Sequence, residues 1–549
     1  MFADVATQII KDSIKSVVYI DENAREAFQP KTVGVVIDEE NKSEELFQNF
    51  KDSGISLSVH KFTPSDITNV SLKNYLFEGR DLVLLDWRLA GESGEDYALN
   101  LLSDIVQRSH IHFCSIYTSV ENKDNVFENI LSYFSQSTEQ EYDEIKLQLA
   151  GYEDDIIRLR PEIKAISFNR FDKLSGKLFE TLFRANTDLV NHIHSIVKEA
   201  NNKLSLIKAS IAFDITCKSA IQLVCPTSIS HRQYLLVINS TIITIINKAE
   251  TQPSQIINTF SEQVYSSTDS FTKLLGVEMQ NIFSKSGAFI DPQSISISKN
   301  ALLHHRKEIK DDPETIDYHD EIFNDTVKKI LIEHANQKLK PESLSLLSSA
   351  VLDELTAAAS KPSDNELLGL NTFYNSIKLD GSNKRLDFGD VFVSGSDYYL
   401  CITALCDCIR PSKNKWQFYF IKGSSITPSK ALILGDTAFV SYVSTEKIIN
   451  WTTVESIDME EENPLYREML DSFRYKPVYS KPLQFLVAKP EIINGEISMW
   501  KTIQDSLDKA DIQYLNLKYI TTIKENYTQR IANHAFTHSV RIGVNFVKQ

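Results

Sequence analysis

Cysteine is scarce in this chain: six among 549 residues, at positions 114, 217, 225, 401, 406 and 408. That is too few for a disulfide framework and suits reduced thiols in a cytoplasm. Positive charge is outweighed, with 58 Lys and Arg against 74 Asp and Glu, a formal net charge of −16. Broad binding to a phosphate backbone needs concentrated Lys and Arg, so nucleic acid is not an expected partner. Long apolar runs are missing too. The most apolar stretch, residues 234–246 (YLLVINSTIITII), is broken by Asn239, Ser240, Thr241 and Thr244. It is shorter than the ~20 residues of a membrane-spanning helix, and a buried helix or strand is the better reading. The opening Met1-Phe2-Ala3-Asp4 has neither the basic start nor the apolar core of a secretory signal. A soluble cytoplasmic protein with no membrane partner is expected. No Walker P-loop, G-x-G-x-x-G, G-x-S-x-G, H-E-x-x-H or kinase glycine box occurs.

What the chain does have is acids at the ends of apolar strands. Residues 80–94 read RDLVLLDWRLAGESG, a strand running into a lone carboxylate, Asp86, and then a Gly/Ser-rich loop. An earlier strand, SVVYIDEN, closes on Asp21-Glu22, and IHFCSIYTS ends in the hydroxyl of Thr118. Carboxylates at the C-terminal ends of buried parallel strands stand where open α/β sheets bind and transform ligands. Two adjacent acids, one further acid and a hydroxyl point to a metal-assisted phosphoryl-acceptor pocket.

The first 175 residues alternate strand and helix signals. Strands are expected at 16–20, 55–62, 81–85, 111–117 and 165–168, with helical patterns at 44–51, 65–77, 95–108 and 122–134. Five βα units imply a parallel, doubly wound sheet. Residues 24–40 lengthen the first connection, and 135–160 insert a charged excursion before the fifth strand. From 176 to 375 the signals are mainly helical. A heptad there places Phe179, Asn186, Ile193 and Ala200 at one seam position and Leu182, Leu189 and Ile196 at the other. Two readings stay open: a homodimer through 179–200, or a helix packed on its own domain. Residues 376–549 turn strand-rich, suggesting an antiparallel barrel-like or sandwich region, with helices at 500–510 and 520–536 and a last short strand, VRIGVNFV. The fold class expected is multidomain: α/β first, a helical middle, and a β-rich α+β end.

These N-terminal residues resemble the receiver domain of two-component response regulators. Asp21-Glu22 stands where that family carries its acidic pair, Asp86 where it carries the phosphorylated aspartate, and Thr118 where it carries the switch hydroxyl. The resemblance implies Mg²⁺ held by Asp21, Glu22, Asp86 and the backbone carbonyl of Arg88, and a histidine kinase as phosphoryl source. The chemistry suits such groups, because phosphoryl transfer is a matter of positioning and charge neutralisation. The family also places a lysine at the end of its fifth strand. Here the expected strand reads KAISFNRFDK, so the cation is assigned to Arg170 or Lys173, with Lys164 also nearby. Arg and Lys differ in reach and hydrogen-bond geometry.

The resemblance extends to the phosphate-sink receiver proteins of Detocs-type anti-phage phosphorelays, which implies a second receiver-bearing effector protein as partner and no enzyme activity beyond the receiver's own phosphorylation. The alternative is a response regulator whose C-terminal region is an unrecognised effector, enzyme or transcriptional regulator. Three constellations carry less. Cys401, Cys406 and Cys408 lie on an expected strand and read as buried thiols rather than a zinc site. His304-His305 with His319-Asp320 has a spacing short for a metal-dependent phosphohydrolase, and His192 or His194 lacks the acidic neighbour of a phosphotransfer histidine.

Overall fold

The computed structural model describes residues 1–27, 29–30, 38–90, 94–134, scattered positions between 143 and 157, 229–232, 235–267, 270–287, 296–311, 319–377, 383–434, 440–452, 481–504 and 510–536. The chain divides into two compact units, Met1–Ala288 with Ala335–Ala358, and Phe289–His334 with Ala359–Gln549.

The first unit is a sheet between two helical layers. Its strands are β1 (Ser16–Asp21), β2 (Ser56–Lys61), β3 (Leu82–Leu85), β4 (His112–Thr118), β5 (Ile229–Arg232), β6 (Leu235–Ile238) and β7 (Thr241–Asn247). Their order is β2-β1-β3-β4-β7-β6-β5. The first five positions are parallel, while β6 and β5 run antiparallel to their neighbours. Helices α1 (Phe2–Ser13), α2 (Asp38–Asp52), α3 (Val70–Phe77), α4 (Glu95–Ile105), α5 (Lys123–Phe134), α6 (Ile256–Tyr265) and α7 (Ser270–Ser286) supply the covering layers.

Strand alternation decides which layer each side chain meets. Val18, Ile20, Val83, Leu85, Cys114, Ile116, Ile243 and Ile245 form one core with Leu76, Leu99, Leu102, Phe127 and Ile130 of α3 to α5. Val17, Tyr19, Leu82, Leu84, Phe113, Tyr117, Ile242 and Ile246 form the other, with Ile9 and Ile10 of α1, Phe50 of α2, Phe260 of α6 and Leu274 of α7. Leu346 and Val351, from the segment that returns at 335–358, are buried in this second core. Both sheet faces are covered, which is why the central strands read as continuous apolar runs.

The four expected strands at 16–20, 55–62, 81–85 and 111–117 form within a residue or so of those bounds. The fifth does not occupy the expected place. The position beside β4 belongs to β7, residues 241–247, while 165–168 lie outside the described residues. The described part of that apolar run, 235–246, is therefore a strand hairpin: β6 and β7 are joined by Asn239-Ser240, with Asn239 at φ 53°, a left-handed conformation suited to a two-residue hairpin turn. The heptad at 179–200 and its dimer, and His192 and His194, also lie outside the described residues.

The second unit is built on a closed antiparallel barrel. Strands β8 (Asp390–Ser394), β9 (Asp397–Cys401), β10 (Gln417–Ile426), β11 (Leu483–Leu486), β12 (Glu496–Gln504) and β13 (Ala510–Ile523) follow the order β9-β8-β13-β12-β11-β10, and β10 returns to pair with β9. Closure leaves this ring without an edge. Phe392, Phe418, Phe420, Phe485, Ile497, Met499 and Leu517 fill one core. Leu367, Leu400, Ile421, Leu432, Tyr442, Trp451 and Ile531 form another, under the helices Asp364–Asn375, Pro428–Leu434 and Glu525–Ala535.

Two expectations are corrected here. Residues 500–504 and 510 are strand, not helix, because Ile497 and Met499 alternate into the barrel and the nine-residue pairing of β12 with β13 overrides helix-forming Lys and Gln. Of the three clustered cysteines only Cys401 is on a strand. Leu405–Ile409 is a short helix that turns Cys408 into the same core as Cys401.

Candidate functional site

Strand β1 is buried from Val17 to Ile20 and ends on Asp21, 1% exposed. The chain is turned outward there by the Asp21 side chain, whose Oδ1 accepts the Asn23 amide at 2.7 Å. Beside it, β3 ends at Leu85, and the Asp86 amide still donates to the Ile20 carbonyl at 3.0 Å. The ladder thus carries Asp86 alongside Asp21. Arg88 N donates to Asp86 Oδ2 at 3.2 Å. Strand β4 ends on Thr118, buried, with Oγ1 accepting the Val120 amide at 3.3 Å. All these groups stand at one edge because the strands are parallel.

The next parallel strand, β7, ends at Asn247, and the following residue is Lys248. Its amide donates to the Thr118 carbonyl at 2.8 Å. Its ammonium reaches Asp21 Oδ2 at 2.5 Å and Asp86 Oδ1 at 2.8 Å, with the side chain 2% exposed. Lys248 holds the place that the sequence reading assigned to Arg170 or Lys173, which lie outside the described residues together with Lys164. Sequence reasoning missed it because the insertion after α5 carries the strand far downstream. The signal was present: the β-branched run TIITII ends on a polar pair, Asn247-Lys248, as the earlier strands end on acids and a hydroxyl.

The surroundings are aromatic. The Tyr19 hydroxyl donates to Asp21 Oδ2 at 2.7 Å, and the Lys248 ammonium lies 5.6 Å from the Tyr19 ring centre and 5.7 Å from that of Tyr117. Burial raises the Tyr19 phenol, and Asp21 beside it adds to the rise; burial pushes Tyr117 up to about 12. Burial also raises Asp86. Lys248 works against that rise and Asp21 with it. For Lys248 burial alone would lower the pKa, but Asp86 and Asp21 more than offset it and the ammonium is held charged. Glu22 is pushed up to about 7, by burial first and then by the charges of Asp21 and Asp86.

Ligand oxygens of Asp21, Glu22 and Asp86 all lie within 4.8 Å of one another. Glu22 Oε2 is buried and has no hydrogen-bond partner. Three hard oxygen donors, one of them unsatisfied, fit a small divalent cation such as Mg²⁺.

Residues 13–160 match the family model of the response receiver domain. A receiver domain is the phosphoacceptor of two-component signalling; it binds Mg²⁺ at an acidic pocket and implies a histidine kinase partner. The matched span is roughly a quarter of the chain and ends 88 residues before Lys248. No curated protein and no solved structure matches the chain. Among the described residues no helix is long and apolar enough to cross a membrane.

Elsewhere the sequence candidates do not assemble. Arg306 pairs with Asp320 at 2.5 Å, and His304 lies 3.5 Å from Glu308, both on exposed helix surface. Among the described residues, Asp21, Glu22 and Asp86 are the one group of acids, His or Cys close enough to share a metal.

Proposed function

We propose that this protein accepts a phosphoryl group on Asp86 from the phosphohistidine of a histidine kinase and acts as a sink or interaction switch in a phosphorelay. The observation that carries this reading is the lysine bridging the first and third strand ends, Lys248 on Asp21 and Asp86.

An Asp86 oxygen attacks phosphorus as the P–N bond of the phosphohistidine breaks, and the imidazole leaves carrying the proton it held. Asp21, Glu22, Asp86 and the Arg88 carbonyl would hold Mg²⁺, which when bound neutralises the charge between the carboxylate and the incoming phosphoryl oxygens. Lys248 supplies a positive charge already held between the two acids, within reach of an arriving phosphoryl oxygen. Thr118 donates its hydroxyl to a phosphoryl oxygen. Doing so draws it away from the Val120 amide, and the loop before α5 moves with it.

The sink role belongs to an anti-phage phosphorelay of the Detocs type, with a second receiver-bearing effector protein as competitor for phosphoryl groups. One observation favours a second reading: the other unit has its own closed barrel and cores, more structure than phosphoryl storage needs. In that reading Asp86 phosphorylation controls an effector in residues 359–549.

The deciding experiment is phosphotransfer from a phosphorylated histidine kinase on a phosphate-affinity gel, wild type beside Asp86→Asn, with and without a second receiver. Wild type is expected to shift and to deplete the competitor, and Asp86→Asn to do neither. A shift that survives Asp86→Asn would overturn the reading. Phosphorylation without depletion would favour the effector.

A further inference from the structure

Asp21 is engaged more heavily than its neighbours. Its Oδ1 accepts the Asn23 amide at 2.7 Å, and its Oδ2 accepts both the Tyr19 hydroxyl at 2.7 Å and the Lys248 ammonium at 2.5 Å. A carboxylate oxygen offers two lone pairs, so Oδ2 has none left for a metal. Glu22 Oε2 is at the other extreme, buried with no partner.

Tyr19 acts on the ammonium as well. Its ring and that of Tyr117 meet edge to face at 6.3 Å, both side chains are fully buried, and both rings lie within cation–π range of Lys248. The two hydroxyls differ. That of Tyr19 faces the acids, whereas that of Tyr117 donates to the Thr251 carbonyl at 3.3 Å.

We propose that Tyr19 is a positioning residue which, together with Lys248, closes Asp21 Oδ2 to the metal at rest. At rest Glu22, Asp86 and the remaining lone pair of Asp21 Oδ1 would face the metal, and Oδ2 would become available to it once the ammonium turned to a phosphoryl oxygen. The inference rests on the phosphoacceptor reading of the same site.

The test is calorimetric titration of the full chain with MgCl₂ at pH 8, alongside the lifetime of phosphorylated Asp86. Tyr19→Phe keeps the ring and removes the hydroxyl, returning one lone pair to Oδ2. Mg²⁺ is expected to bind about three- to tenfold tighter, the worth of one competing hydrogen bond. The phosphoryl lifetime stays within about twofold, because Lys248 has then left Asp21. Tyr117→Phe leaves both unchanged. In a Lys248→Gln background Oδ2 is already open, so adding Tyr19→Phe changes Mg²⁺ binding by less than about twofold. Equal or weaker Mg²⁺ binding by a folded Tyr19→Phe protein overturns the proposal, and so does equal tightening by Tyr117→Phe. A wild type that binds no Mg²⁺ and takes no phosphoryl group removes the underlying reading instead.

Discussion

Lys248 and Asp21 are 227 residues apart in sequence, yet the ammonium of one lies 2.5 Å from the carboxylate of the other in the buried floor of the site. Lys248→Ala removes the only cation that the described residues place between Asp21 and Asp86. Transfer to Asp86 should slow by about a hundredfold, the scale of losing one charge-stabilising donor. Arg170→Ala and Lys173→Ala should phosphorylate at the parent rate. Time courses on a phosphate-affinity gel compare all three, and a slow Arg170→Ala beside a normal Lys248→Ala would reverse the assignment.

The same lysine is a stability element. Breaking a buried ion pair by removing one partner costs about 3–5 kcal/mol, because the remaining charges stay buried. Lys248→Met leaves Asp21 and Asp86 in that position, and its urea midpoint should fall accordingly. Adding Asp86→Asn removes one of the stranded charges and should restore part of the loss.

Mg²⁺ binding should depend on pH through Glu22. Its pKa of about 7 reflects burial and the neighbouring acids, and the metal needs the deprotonated form. As pH falls through 7 the site takes up a proton, so the dissociation constant should rise about tenfold between pH 8 and pH 6. Glu22→Gln should bind more weakly at pH 8 and show a flatter profile. Titrations at three pH values suffice, and an unchanged slope in Glu22→Gln would place the proton elsewhere.

Gly94 caps α4 just after the loop that follows Asp86. A Cβ there would run into the backbone carbonyl of Leu89. Gly94→Ala should cost about 1–3 kcal/mol through forced displacement of that loop. Phosphorylation of Asp86 should slow with it. A melting temperature equal to that of the parent would show that the loop yields freely.

The acidic half of the site was legible because each acid follows an unbroken apolar run, and parallel strands bring such endings together. Asp21, Glu22 and Asp86 needed only that rule. Lys248 followed the same rule but stood beyond a long insertion, and KAISFNRFDK offered a nearer strand with nearby cations. Tyr19 and Tyr117 stand inside apolar strand runs and carry no signal of their own. Their faces toward Lys248 depend on alternation parity and register, which composition does not reveal. Towards the other end of the chain, local helix propensity at 500–504 lost to the long antiparallel strand that follows next in sequence, a pairing that residue-by-residue propensity does not register.

The first unit gathers residues 1–288 and 335–358, and the strand that carries Lys248 lies well past position 175. A fragment cut at 160 or 175 would keep Asp21 and Asp86 and lose their counter-cation Lys248, the sheet's fifth parallel strand and the two hydrophobic anchors Leu346 and Val351. Such a piece would expose the flank of β4 to other chains, and its failure to hold phosphate would describe the truncation, not the protein.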